Sequence, residues 1–182
     1  MKALSATGIA IALIATPSAA SVMTLGNGLA RSCYLATEAR QATFSAIDIC
    51  NDALEDATLV RHDLAATHVN RGIMYLLRKE HEAAGKDFDQ AIAIDPGQPE
   101  AWLNKAVLKM RQGRTAEALP LASRAVELNT TRPALAYYIR GIAQEAAGNV
   151  KAAYADLRRA QQLEPEWSYP TEELKRYAVK SR

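Results

Sequence analysis

Three histidines, His62, His68 and His81, lie near Glu80 and Glu82, and imidazole with carboxylate is the donor set that holds zinc and related divalent metals. A helical zinc pair needs two histidines three or four positions apart on one face, and no two of these have that spacing. They read as surface or boundary side chains, and a metal-dependent enzyme is the least favoured reading. The two cysteines, Cys33 and Cys50, are too few to build a zinc site alone. An even count in a secreted chain points to one bridge, which would also remove the best nucleophiles. No G-x-S-x-G elbow, phosphate-binding Gly-rich loop or H-E-x-x-H helix occurs, so the sequence predicts no catalysis and no cofactor.

Arg71, Lys105 and Arg140 recur at nearly equal spacing and could form a basic ladder for an acidic ligand. The alternative is an ion pair inside each of two helical hairpins. Residues equidistant from a hairpin turn face each other, and Arg71 with Asp87 centres on residue 79, Arg140 with Asp156 on residue 148. Lys105 faces Leu121 by the same rule, so it is the one basic residue of the three left for a ligand. Cys33 and Cys50 centre between Gln41 and Ala42, which would set them opposite each other across a third, shorter hairpin.

The elements that must position these groups are helices. Only 6% of the 182 residues are aromatic and Ala, Leu, Glu, Arg and Gln abound, a composition that favours helix over sheet. With 22 basic against 20 acidic residues interspersed, there is no field to gather nucleic acid or anionic lipid. The chain also repeats itself. Gly72, Ala106 and Gly141 stand 34 and 35 apart, and Ala84, Ala118 and Ala153, then Ala91, Ala125 and Ala160, keep the same step. Within a unit the apolar residues recur at three and four, as in Ala84, Phe88 and Ala91, so each unit reads as two amphipathic helices. Gly113 and Gly148 mark turns within units, and Pro96, Pro99, Pro133 and Pro165 fall between units. Pro120 lies inside a predicted helix after the candidate cap Thr115, which predicts a late start or a kink there.

A helix-turn-helix with Gly72, Tyr75, Ala84, Phe88, Ala91 and Pro96 resembles the tetratricopeptide repeat. The unit from Pro99 keeps Trp102, Ala118 and Ala125 but carries Ala106, Lys109 and Thr130 where the motif has Gly, an aromatic and Pro. The unit from Ala134 keeps Tyr137, Gly141, Ala153, Ala160 and Pro165. The resemblance implies an all-α fold, a right-handed α-solenoid of helix-turn-helix hairpins, with units over 65–98, 99–133 and 134–167. Upstream, 21–64 reads as a divergent hairpin, over 27–55, and a connector. Downstream, 168–182 reads as a capping helix centred on Pro170 to Lys180, because a solenoid's last repeat would otherwise expose its core face.

Stacked hairpins line a concave groove with their first helices. The repeat alignment places Ala66, Val69, Ile73 and Leu76, then Glu100, Leu103, Val107 and Met110, then Leu135, Tyr138, Ile142 and Glu145 on that face. Relatives that grip a C-terminal carboxylate use Lys and Asn there, and Val69 and Ile73 stand at the corresponding places here. The stripe is mostly apolar and suits an apolar or amphipathic partner segment, with Tyr138 as the favoured anchor. It could instead be core, or be covered by the chain's own N-terminal segment. The sequence therefore predicts a non-catalytic adaptor or scaffold for a protein partner; a structural homo-oligomer with the groove buried between copies is the alternative.

Residues 1–20 read as a secretory signal peptide. Lys2 precedes an uncharged, mainly apolar run from Ala3 to Thr16, and Ser18 and Ala20 supply the small residues before a cut that leaves Ser21 first. The run is shorter than the roughly 20 residues that span a bilayer. An uncleaved anchor or an apolar first helix is the alternative. Export would place the chain in a periplasm-like or extracellular compartment, with no stable membrane insertion after processing.

Overall fold

The computed structural model describes residues 20–24, 28–56 and 58–177, so the signal-like stretch before Ala20 lies outside the described residues. Among the described residues there are nine helices: α1 (Leu29–Glu38), α2 (Phe44–Leu54), α3 (Arg61–Leu77), α4 (His81–Ile94), α5 (Pro99–Arg111), α6 (Thr115–Glu127), α7 (Pro133–Ala146), α8 (Val150–Leu163) and α9 (Ser168–Lys175). None is long and apolar enough to cross a membrane.

One closure ends the first helix of every hairpin. Gln41 N–H donates to the Ala36 carbonyl (2.9 Å), Glu80 to Tyr75 (2.9 Å), Arg114 to Lys109 (2.9 Å) and Asn149 to Gln144 (2.8 Å). These are the six-to-one bonds of a Schellman turn, which requires a left-handed residue just before the donor. Arg40, Lys79, Gly113 and Gly148 supply it, with φ of 55°, 64°, 73° and 81°. Glycine adopts that conformation without strain, whereas Arg40 and Lys79 bear its cost. The same turn in α1–α2 shows that the N-terminal hairpin is built like the others although its sequence has drifted.

Consecutive hairpins stack in order: α3 packs on α4, α5 on α6 and α7 on α8, while α4–α5, α6–α7 and α8–α9 join neighbours. The first helices touch in sequence, α3 against α5 and α5 against α7, and thus form one continuous face. The alanine columns 84, 118, 153 and 91, 125, 160 are all fully buried, which explains their size: larger side chains would hold the helices apart. Opposite them the hairpins compensate in pairs. A Cβ on Gly72 would fall 2.6 Å from Phe88 Cε1, and one on Gly141 would fall 3.1 Å from Leu157 Cγ. In the middle unit the counterpart of Phe88 is the buried Ala122, which leaves room for the methyl group of Ala106.

The N-terminal hairpin has its own small core of Cys33, Ala36, Ala46, Ile47 and Cys50, closed by Met74 of α3. Cys33 and Cys50 are bonded, with Cα atoms 4.9 Å apart. Asn51 accepts from Arg71 Nη1 (2.8 Å) and the Phe44 ring lies 3.9 Å under the Arg78 guanidinium, tying α2 to α3.

Several boundaries differ from the sequence reading. The first unit opens at Arg61 rather than residue 65 and the third at Pro133, while the capping helix, expected over 168–182, spans Ser168–Lys175 among the described residues. Helix α6 starts at Thr115 and runs through Pro120 without a break, so the expected late start does not occur. Thr115 is its first residue and not a side-chain cap; the turn instead opens with a tight bond from Glu117 N–H to the Arg114 carbonyl (3.0 Å).

A candidate peptide groove on the concave face

Residues 20–24 lie along the face formed by α3, α5 and α7. Ala20, Val22 and Thr24 are buried while Ser21 and Met23 are not, the alternation of a strand with one covered side. Two asparagines one repeat apart hold this segment. On α3, Asn70 accepts from the Val22 N–H through Oδ1 (2.9 Å) and donates from Nδ2 to the Val22 carbonyl (2.9 Å). This double bond copies strand pairing with a side-chain amide. On α5, Asn104 Nδ2 donates to the Ala20 carbonyl (2.9 Å) and to the Glu100 carbonyl one turn back (2.9 Å). Its Oδ1 is buried with no hydrogen-bond partner among the described residues, as is Thr24 Oγ1. At the edge Ser21 Oγ meets the Glu38 carboxylate. Between α1 and the α6–α7 joint remains a cavity of about 300 Å³ lined by Tyr34, Glu38, Thr131, Arg132 and the segment itself.

The apolar stripe read as exposed is buried. Ala66, Val69, Ile73, Leu76, Leu103, Val107, Met110, Leu135, Tyr138 and Ile142 are all no more than 8% exposed, and they share one cluster with Ala20 and Val22. At the far end Tyr138 packs on Trp167 (ring centroids 4.9 Å apart) and Tyr169 (6.5 Å). Burial pushes the Tyr138 hydroxyl pKa far up. The capping segment therefore covers the residue read as the favoured partner anchor. Glu100, also placed on this face, turns away to accept from Thr131 N–H (2.9 Å), Thr131 Oγ1 (3.0 Å) and Thr130 Oγ1 (3.3 Å), which secures the α6–α7 joint.

The charged residues sit inside and between hairpins. Arg71 forks onto Asp87 (Nε–Oδ2 2.9 Å, Nη2–Oδ1 2.7 Å) and Arg140 onto Asp156 (both 2.7 Å). Burial works against the Arg71 charge, but the hydrogen bonds and charge of Asp87 outweigh it and move its pKa upward. Lys105, read as free for a ligand, instead pairs with Asp89 of the preceding unit. Its expected neighbour came from the turn within its own hairpin, and that geometry does not register contacts between units. His68 bonds Asp87 (2.9 Å) and His62 bonds Asp63 (3.1 Å), while His81 opens α4. The structure does not bring the three histidines together. Among the described residues no cluster of three or more His, Cys, Asp or Glu could hold a metal.

Sequence reasoning missed Asn70 and Asn104, although a signal was present. Both stand in one repeat column, two residues before Gly72 and Ala106, and asparagine is a poor helix former whose recurrence inside a helix asks for a reason. Val69 and Ile73 were weighed as the places where polar groups would matter, and their neighbour Asn70 was not.

Residues 75–140 match the tetratricopeptide repeat family. Mouse serine/threonine-protein phosphatase 5 is 31% identical over 110 residues, 60% of this chain but 21% of that protein, so the chain spans about a fifth of its length. Only the repeat part of that enzyme is matched. Among solved structures, the first repeat domain of human RPAP3 superposes with a TM-score of 0.58 at 27% identity, covering 64% of this chain and 91% of that one. PilW, described as a type IV pilus biogenesis factor, gives 0.68 at 23% identity over 81% of this chain and 66% of its own. MamA from Desulfovibrio magneticus gives 0.65 at 18%, over 83% and 84%. The last two are likenesses of fold.

Proposed function

We propose that this chain, which is built on tetratricopeptide repeats, is an exported, non-catalytic interaction module that binds a segment of a protein partner on its concave face. Such repeats are typically protein–protein interaction modules, and the fold alone names no partner. The observation that carries the reading is Asn70, whose side-chain amide holds the Val22 backbone against that face through both its halves, with Asn104 one repeat further along; the Asn104 bond is to Ala20, so a cut before Ser21 would leave that second amide open to a partner. A face that binds backbone through carboxamides needs no catalytic group and accepts many side chains.

Export is supported by the order of charge, apolar run and small residues over 1–20 and by the Cys33–Cys50 bridge, which persists in oxidising compartments. Intact-mass analysis of protein from an envelope fraction should give a chain beginning at Ser21; a retained Met1 would refute export. For the binding surface, a photo-crosslinking residue at Tyr34, which lines the groove cavity, should yield a protein adduct, and one at Tyr154, on α8 away from that cavity, should not. Adducts from Tyr154 alone would move the partner to the outer face, and a cross-linked homodimer through Tyr34 would favour self-assembly.

A further inference from the structure

A cavity of about 290 Å³ lies at the joint between the second and third units, and none of its lining residues belongs to the concave stripe. Val126 of α6, Pro133 and Tyr137 of α7 and Leu163 of α8 give it apolar walls, and Asn129 and Arg159 give it an amide and a guanidinium. Arg159 is exposed and has no ion pair or hydrogen bond among the described residues. The repeat itself supplies a comparison, because the same columns recur at the joint one unit earlier. There Trp102 stands where Tyr137 does, and its indole reaches across the joint to donate to the Pro96 carbonyl (3.0 Å). Arg124, in the column of Arg159, is paired with Glu127 (3.1 Å). At the later joint a single ring replaces the double ring, Asn129 replaces Asp95, and Gln162 replaces Glu127. Both changes at acidic columns exchange a carboxylate for its amide, so the cation is kept and its acid is lost. The other guanidinium nearby, that of Arg140 at 5.1 Å from the Tyr137 ring centre, is already matched by Asp156.

We propose that this joint is a binding site for a small free organic acid, a monocarboxylate on an apolar body the size of a leucine or phenylalanine side chain. Arg159 receives the carboxylate in charge-assisted hydrogen bonds, which a planar guanidinium makes two at a time. Asn129 offers a neutral donor beside it, and the apolar body lies against Val126, Tyr137 and Leu163. Size decides between a free acid and a length of chain. Pockets for drug-sized ligands run from about 300 to 1,000 Å³, so this cavity stands at their lower end and suits a smaller molecule. The site shares no residue with the concave stripe, and its existence does not depend on the partner proposed for that face.

The test titrates the isotope-labelled chain, followed by NMR, with phenylacetate, 4-methylpentanoate and the neutral phenylacetamide at millimolar concentrations. At least one acid should give saturable shifts in the amides of Asn129, Thr130 and Leu163, and phenylacetamide should bind at least about tenfold more weakly than phenylacetate, because it forfeits the charge-assisted bonds. Arg159→Gln removes the cation, and Gln162→Glu gives it the internal acid that Arg124 has; each should weaken the acid at least about tenfold. Tyr137→Trp restores the indole of the earlier joint and should close the site. Arg124→Gln, at the earlier joint, should change nothing. Should Tyr137→Trp lose its helical circular dichroism, the two charge variants, both at exposed positions, still decide the matter. The proposal is overturned if neither acid shifts these amides, if the amide binds as well as the acid, or if Arg159→Gln binds like the wild type. A peptide ending in a free leucine carboxylate, acetyl-Ala-Ala-Leu, distinguishes the source: tighter binding than 4-methylpentanoate would overturn the free-acid reading in favour of a protein C-terminus, and equal or weaker binding supports it. The Tyr34 cross-link reports on the concave face alone, so failure there and failure here are separate results.

Discussion

The interiors of the hairpins and the concave face are both buried, yet they are filled on different principles. Inside a hairpin, residues about sixteen apart in sequence meet across a turn, as Gly72 meets Phe88 and Arg71 meets Asp87, and the same columns serve each unit. On the concave face the contacts join residues 48 and 84 positions apart, Val22 with Asn70 and Ala20 with Asn104. Repetition fixes the first kind of contact. The second depends on where a single non-repeated segment comes to rest.

If that contrast holds, the largest losses should come from hairpin interiors. Phe88→Ala should cost about 3–5 kcal/mol in chemical denaturation, as a buried aromatic truncated in a closed core does; Val22→Ala should cost clearly less. Replacing Cys33 and Cys50 together with alanine should remove about 3 kcal/mol from the N-terminal hairpin, read as earlier proteolysis of α1–α2 with α3–α8 intact. Gly72→Ala should destabilise by about 1–3 kcal/mol despite alanine's better helix propensity, because its Cβ would overlap Phe88. The double variant Gly72→Ala/Phe88→Ala should lose less than the sum of the two, since it recreates the Ala106–Ala122 pairing of the middle unit. The smallest effect belongs to the charged pairs. A double-mutant cycle on Lys105 and Asp89 should give a coupling of about 0.2–1 kcal/mol, and the cycle on Arg71 and Asp87 should exceed it because the Asp87 carboxylate is almost fully buried.

The legible part of the molecule is the repeated part. The Gly72, Ala84 and Ala91 columns carry the hairpins because small residues are demanded at the same place in every unit, and the midpoint rule leads to the Arg71–Asp87 and Cys33–Cys50 contacts because an antiparallel turn has one geometry. The rule misses Asp89 for Lys105, since that contact runs between units whose relative rotation no local pattern encodes. Pro120 was read through its intrinsic cost, which packing of α6 between α5 and α7 overrides. The concave stripe was placed on the right helices, but its exposure depended on Ala20, Val22 and Trp167, which lie far from it in sequence and repeat nothing. Asn70 and Asn104 were visible as a column and carried no meaning until a strand lay across them.

The central claim is that Asn70 holds an internal strand on the concave face, and the amide of Val22 reports on it most directly. Its hydrogen exchange, followed by NMR in the wild type and in Asn70→Ala, should be slow in the first and fast in the second, while amides in α5 and α7 keep their protection. A Val22 amide that exchanges in the wild type at the rate of a free peptide would contradict the account.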